Sequence, residues 1–260
     1  MSQTSRLSVK RVEEAFAKID AVFLHSPQYI NEPLGSLLGV NLILKIETLN
    51  PIRSFKGRGA DWLLANLESG SSLICASAGN FGQAMAYACR KANCKLTVYA
   101  SVKANPLKVE RMRSFGANVS LFGEDFDAAK LEAKRVANEK GIRFVEDSLD
   151  IETVEGAGTI ALELLQFQKA IDMLLVPLGN GAMINGISCI YKVRSPQTKI
   201  IAVQAEGASA MVESWKSGAL ITHQSVNTMA DGIAVRIPVQ QALDDMKGLV
   251  DDAILVKEES

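Results

Sequence analysis

An α/β fold of mostly parallel, twisted sheets with helices on both faces is predicted by three observations. Short β-branched, apolar runs alternate with longer stretches of helical spacing along the whole chain, the order that builds parallel sheets through crossover helices. The strand-like runs lack in–out alternation, as expected when both faces of a sheet are buried. Apolar residues make up 48% of the 260, enough to fill a core.

Taken in order, strands are expected at 40–46, 73–76, 95–99, 118–122, 143–145, 173–176, 200–204 and 253–256. Helices are expected between them, at 55–66, 82–91, 107–114, 125–140, 154–168, 182–193 and 209–217. The stretch 147–150 reads as the crossing point between two lobes.

Composition removes several function classes. Lys plus Arg number 28 against 29 Asp plus Glu, a net charge of -1, so no clustered surface neutralises nucleic-acid phosphates. With 19 Gly and 7 Pro the chain is neither collagen-like nor a linker. No apolar run approaches the roughly 20 residues of a membrane span, and the charged start of the chain reads as no secretory signal. Four cysteines without a CxxC pair read as reduced thiols of a cytoplasmic protein. The two histidines, His25 and His223, lie far apart, which argues against a His-rich metal site or a Ser-His-Asp triad.

Ligands of parallel α/β folds bind where strands end and helices begin, and three such junctions carry unusual chemistry. Gly179, Asn180, Gly181, Ala182 and Met183 follow a buried strand and open a helix. Small residues and a helix N-terminus make an anion cradle there, or simply a tight turn. Ser77, Ala78, Gly79 and Asn80 occupy a second junction, where their donors would hold a carboxylate or merely cap the helix. Lys56 follows the apolar Phe55 at the start of a third helix. Burial and the positive helix end would make its amine a nucleophile; the plain alternative is a solvated surface lysine. Arg53 and Arg58 beside it read equally well as surface charges.

The run Asn50-Pro51-Ile52-Arg53-Ser54-Phe55-Lys56-Gly57-Arg58-Gly59-Ala60, with Ser77-Ala78-Gly79-Asn80 and Gly179-Asn180-Gly181-Ala182-Met183, resembles the fold-type II pyridoxal-phosphate enzymes. The branch it resembles is that of the threonine/serine dehydratases and serine racemases. Further similarity lies in Gly156-Ala157-Gly158-Thr159-Ile160-Ala161-Leu162-Glu163 and Ala230-Asp231-Gly232-Ile233-Ala234-Val235. The resemblance implies a two-lobed fold, with a small mobile lobe at 49–144 and a larger cofactor-binding lobe from 1–48 plus 145–260. It implies pyridoxal phosphate as cofactor, joined to Lys56 as a Schiff base, with Phe55 against it and Asn80 on its ring hydroxyl. The backbone of Gly179, Asn180, Gly181, Ala182 and Met183 would hold the phosphate, and Ser77, Ala78, Gly79 and Asn80 the substrate carboxylate. Lys56 would take the α-proton, and the cofactor phosphate would protonate the departing β-hydroxyl.

The implied activity is a lyase that converts L-threonine or L-serine to a 2-oxo acid and ammonia, as a homodimer. Ala78 stands where serine racemases carry a second serine, which leaves elimination rather than racemisation. Val212 replaces the second carboxylate of their cation site near Glu206, so no metal is expected. Family members continue beyond the position of Ser260, so the chain is expected to lack the usual C-terminal portion and to expose a sheet edge. Three other readings compete. A β-replacement synthase would carry Thr where Phe81 stands. A non-catalytic remnant would hold the cofactor without turnover. A Rossmann-type nucleotide binder fails on spacing, because Ile184 occupies the place of the third glycine.

Overall fold

The structure, a computed structural model, describes residues 6–259; positions 1–5 and 260 of the expected larger lobe lie outside the described residues. Helix α1 (Val9–Lys18) is capped by the Ser8 hydroxyl and buries Val12 and Ala15. Next come strand β1 (Gln28–Ile30), helix α2 (Glu32–Leu38) and strand β2 (Ile43–Lys45). β1 and β2 pair antiparallel. This corrects the expected strand at 40–46. Only Ile43–Lys45 is strand, and it joins neither parallel sheet.

Helix α3 (Lys56–Ala65) leads into the first parallel sheet. Its parts are strand β3 (Ser72–Ala76), helix α4 (Asn80–Lys91), strand β4 (Lys95–Ala100), helix α5 (Pro106–Ser114), strand β5 (Asn118–Leu121), helix α6 (Phe126–Lys140) and strand β6 (Arg143–Val145). The strand order is β5-β4-β3-β6. Both faces are buried. Leu73 and Cys75 of β3 join one apolar cluster with residues of α4, whereas Ile74 and Ala76 join another with Ala129 and Ala133 of α6.

Helix α7 (Ile151–Leu164) starts before the expected 154 and ends short of 168. The second parallel sheet follows, from strand β7 (Met173–Pro177), helix α8 (Ala182–Arg194), strand β8 (Lys199–Ala205), helix α9 (Ala210–Ser217), helix α10 (Gln240–Met246) and strand β9 (Asp252–Val256). Its order is β7-β8-β9. Here the expectation of two buried faces fails among the described residues. Val176, Ile200, Ala202 and Ala253 enter the core, but Leu175 and Ile254 stay 60% and 41% exposed.

The two sheets meet through α3, α7 and α8, with α3 and α8 each packed on α7. Glycines set how closely. A Cβ on Gly59 would lie 2.7 Å from the Thr153 Cα, and one on Gly186 would lie 2.3 Å from the Val154 carbonyl oxygen. The helices therefore touch backbone to backbone, and the start of α3 is held against the start of α7.

Candidate active site

The three junctions do not belong to one sheet. The loop before α3 follows the antiparallel pair, the Ser77 loop follows β3, and the Gly179 loop follows β7. The structure brings Lys56 and Asn180 together at one carboxylate, Asp147, and of the expected site residues Ser77 and Asn180 line the cleft beside it.

Asn50 builds the first loop. Its side-chain amide donates to the carbonyls of Glu47 and Ser54, while its oxygen accepts from the N–H groups of Ile52 and Ser54. Lys56 is the first residue of α3, and its N–H donates to the Ser54 hydroxyl at 3.3 Å. Its side chain is only 15% exposed and its Nζ lies 2.6 Å from Asp147 Oδ2. The same amine stands 4.6 Å from the Phe55 ring centre. Phe55 and Met183 pack against one apolar cluster, beside α8. Lys56 is thus not a solvated surface lysine.

Arg58 is not a surface charge either; its side chain is wholly buried. It donates to Glu47, Glu163, Thr159 and Ser26, and Lys45 adds a second cation at Glu163. Burial alone would raise the Glu163 carboxyl, but the Arg58 and Lys45 hydrogen bonds outweigh it and hold the group below its ordinary range. This cluster ties β2, α3 and α7 together two residues along α3 from Lys56.

At the second loop the Ser77 hydroxyl accepts from the N–H groups of Gly79 and Gly82, at 3.1 and 2.9 Å. That hydroxyl caps α4. Ala78 and Gly79 are half-buried, and Asn80 opens the helix, also half-buried. At the third loop Gly181 has φ +97°, a left-handed conformation suited to glycine. The Ala182 N–H donates to the Ser148 hydroxyl at 3.1 Å. The N–H groups of Asn180, Gly181 and Met183 donate to no described residue. Gly179 and Asn180 are half-buried.

Between the loops runs the turn from β6 to α7, for which no sequence motif spoke. Glu146 accepts from Lys130 and Lys134. Burial would raise its carboxyl, and these two lysines bring it below the ordinary range. Ser148 holds φ +69° while fully buried, a strained position. It persists because its N–H donates to the Thr153 hydroxyl and the Glu146 N–H donates to Asp150. Asp147 is thereby fixed facing Lys56. Its Oδ2 also lies 3.4 Å from the Asn180 amide nitrogen. Its Oδ1 is buried without a hydrogen-bond partner among the described residues.

A cleft of about 90 Å³ lies between these elements, lined by Ser77, Phe81, Glu146, Asp147, Asn180 and Val239 among others. A wider hollow of about 440 Å³ surrounds α2, but none of the expected site residues line it. The wider hollow lacks an amine, a carboxylate cluster or a long helix start, so the chemistry belongs to the smaller cleft.

Fold and cleft together define an α/β protein with a half-buried amine set near a helix start whose first N–H groups include three that donate to no described residue. A profile of the family described as "Pyridoxal-phosphate dependent enzyme" matches residues 28–260, and the chain belongs to that family. It is 32% identical over 262 residues to the L-threonine dehydratase biosynthetic IlvA of Lactococcus lactis, covering 97% of this chain and 63% of that protein. It is 33% identical over 238 residues to threonine dehydratase 2 biosynthetic, chloroplastic, of Solanum lycopersicum, covering 90% of this chain and 40% of that one. The chain therefore spans between two fifths and two thirds of the length of these relatives. Among solved structures, the processed form of threonine deaminase isoform 2 from Solanum lycopersicum superposes with TM-score 0.87 at 30% identity, over 98% of this chain and 77% of that chain. Maize serine racemase superposes with TM-score 0.90 at 28% identity, over 97% of this chain and 77% of that chain.

Proposed function

We propose that this chain is a pyridoxal-phosphate-dependent lyase that removes the β-hydroxyl of L-threonine or L-serine by α,β-elimination, giving a 2-oxo acid and ammonia. The observation that carries the reading is the meeting of Lys56 Nζ and the Asn180 amide at one Asp147 oxygen, beside the start of α8. The residues suit the cofactor. Three N–H groups at Asn180, Gly181 and Met183 donate to no described residue, as a phosphate cradle at a helix N-terminus requires. Lys56 would be the attachment point, with the Phe55 ring 4.6 Å from its amine as an apolar wall; Met183 packs on the same apolar cluster as Phe55. When bound, the cofactor serves as an electron sink for the substrate Cα.

The chain's own residues supply the rest. Ala78 and Asn80 present N–H groups at the start of α4 to the substrate carboxylate, with Gly79 between them, and the Ser77 hydroxyl, which accepts from the N–H groups of Gly79 and Gly82, holds that loop in shape. The Asn80 amide would hold the cofactor ring hydroxyl. The Lys56 amine would serve as the base that takes the α-proton. Phe81 is buried and lines the cleft, which supports elimination over replacement by an incoming nucleophile. The 49–144 lobe closes over the larger lobe during this cycle, and the enzyme works as a cytoplasmic homodimer. Its four cysteines are unpaired, and among the described residues no helix is long and apolar enough to cross a membrane.

The test is incubation of the cofactor-loaded protein with L-threonine and with L-serine. Formation of 2-oxobutanoate or pyruvate with equal ammonia, in the absence of any added thiol, supports the proposal. Cofactor uptake without product from either substrate favours a non-catalytic remnant and sinks it.

A further inference from the structure

We propose that the connection between α9 and α10, residues 218–239, is an ion-pair latch that holds the first parallel sheet against the second across the cleft, and that screening of its charges by salt releases it. The latch itself is independent of the lyase reading above; its consequence for the cofactor rests on that reading.

Three observations carry the inference. The connection belongs to the second sheet but reaches the helices of the first. Among the described residues its regular structure is a single short turn at Asp231–Ile233. It is rooted on its own side, where the Asn227 N–H donates to the Gly207 carbonyl at 2.8 Å and Val235 pairs with Ser209. It crosses by charge. Arg236 Nε donates to Asp127 Oδ2 at 2.7 Å and Arg236 Nη2 to Asp125 Oδ2 at 3.2 Å, both carboxylates at the start of α6. Lys108 of α5 pairs with Asp231. Second, the turn lies on the Gly179 loop. A Cβ on Gly179 would stand 3.4 Å from the Ile233 Cα and 3.5 Å from the Gly232 carbonyl oxygen. Third, the residues next to the Arg236–Asp127 pair line the cleft. Phe126 precedes Asp127 and Ile237 follows Arg236, and both line it while staying 41% and 43% exposed. Closing the ion pair therefore sets one large apolar side chain from each sheet's side at the cleft.

The magnitudes suit a latch rather than a fixed tie. Lys108 and Arg236 are half-buried, and Asp125 and Asp231 are exposed, so water weakens each pair. Two such pairs together bias an open–closed balance by about three- to tenfold. Their attraction is screened over about 10 Å at 0.1 M salt and about 3 Å at 1 M. The α3–α7 contact is made backbone to backbone and offers no ion pair to screen, so salt loosens the connection and leaves that packing in place. A long connection with few buried residues sits at the low-stability end of a fold, where local opening occurs; of residues 218–239 only Val235 and Pro238 are buried. A ligand held by the closed form loses apparent affinity in proportion as the closed fraction falls.

The experiment measures amide hydrogen exchange of the full cofactor-free chain by mass spectrometry, in about 0.02 M and about 1 M sodium chloride. Residues 218–239 should exchange about threefold or more faster at high salt, while the amides of α7 stay unchanged and report an intact fold. Lys108→Gln combined with Asp127→Asn alters neither the connection nor the expected site residues. It should exchange at the fast rate at both salt concentrations. Asp231→Lys should also speed exchange at low salt, and adding Lys108→Asp should restore the slow rate. Exchange indifferent to salt in the wild type, or a Lys108→Gln, Asp127→Asn variant indistinguishable from it, overturns the inference. Should that variant fail to fold, Asp231→Lys and its rescue by Lys108→Asp decide. In the loaded enzyme, the same double variant should release pyridoxal phosphate about three- to tenfold faster at low salt. It should raise KM for L-serine by a similar factor, with kcat changed less than about twofold. Unchanged release beside accelerated exchange contradicts the placing of the latch over the phosphate loop. Wild type that takes up no pyridoxal phosphate sinks the lyase reading instead, and the exchange measurements still decide the latch.

Discussion

Replacing Arg58 by Met tests the architecture that holds Lys56 in place. The guanidinium is wholly buried and lies between Glu47 and Glu163, donating at 2.6–3.1 Å to both carboxylates. With Lys45 the cluster has two cations and two anions, so it is neutral. Methionine fills much of the volume but leaves one buried negative charge uncompensated. Removing one partner of such a pair costs about 3–5 kcal/mol, against a total stability of roughly 5–15 kcal/mol. Urea unfolding at pH 7, followed by tryptophan fluorescence, reads this directly. The pH dependence adds a second check. In the wild type the Glu163 carboxyl sits below its ordinary 4.5, so its contribution is full above that value and is lost as pH falls through the folded value. The variant has lost the main group that lowered it. The gap between the two proteins should therefore narrow in acid. Adding Glu163→Gln to Arg58→Met should recover part of the loss at pH 7. A cost under about 1 kcal/mol at pH 7, or a gap indifferent to pH, would refute the view of this cluster as a charge-balanced buried network.

Three further expectations concern the loops around the cleft. Gly181→Ala forces an L side chain to φ +97°, with its Cβ 3.2 Å from that of Ala242; it should cost about 1–2 kcal/mol and weaken pyridoxal phosphate retention about tenfold or more in an equilibrium titration. Gly59→Ala drives a methyl to 2.7 Å from the Thr153 Cα and should cost about 1–3 kcal/mol by overpacking α3 against α7; an unchanged urea midpoint would show that the helices separate freely. Ser148→Ala leaves the Ala182 N–H without its acceptor, and should cost about 1–3 kcal/mol, read by chemical denaturation of the cofactor-free protein.

The alternation of strands and helices was legible because fully buried parallel strands are continuous apolar runs, as in Leu73-Ile74-Cys75-Ala76. Helix α1 was read only as a charged segment, although Val12 and Ala15 give it a narrow buried stripe against α7. β1 has three residues, too few for any periodicity to register. The 40–46 run misled because its apolar content belongs to a half-exposed antiparallel edge. In the site, Lys56 and the glycines of the Gly179 loop carried local signals: a lysine opening a helix, and small residues after a strand. Asp147 carried none. A strained turn places it against Lys56, a residue 91 positions away, and such juxtapositions exist only in three dimensions. Arg58, Glu47 and Glu163 were hidden for the same reason, since charge pairing across the chain leaves no spacing to read.

The most direct measurement starts from the wild-type protein loaded with pyridoxal phosphate, reduced with borohydride, digested and mapped by mass spectrometry. The expected result is one labelled peptide, with the pyridoxyl mass on Lys56, and no label in Lys56→Ala. Label on another lysine, or none at all, would contradict the assignment of this cleft.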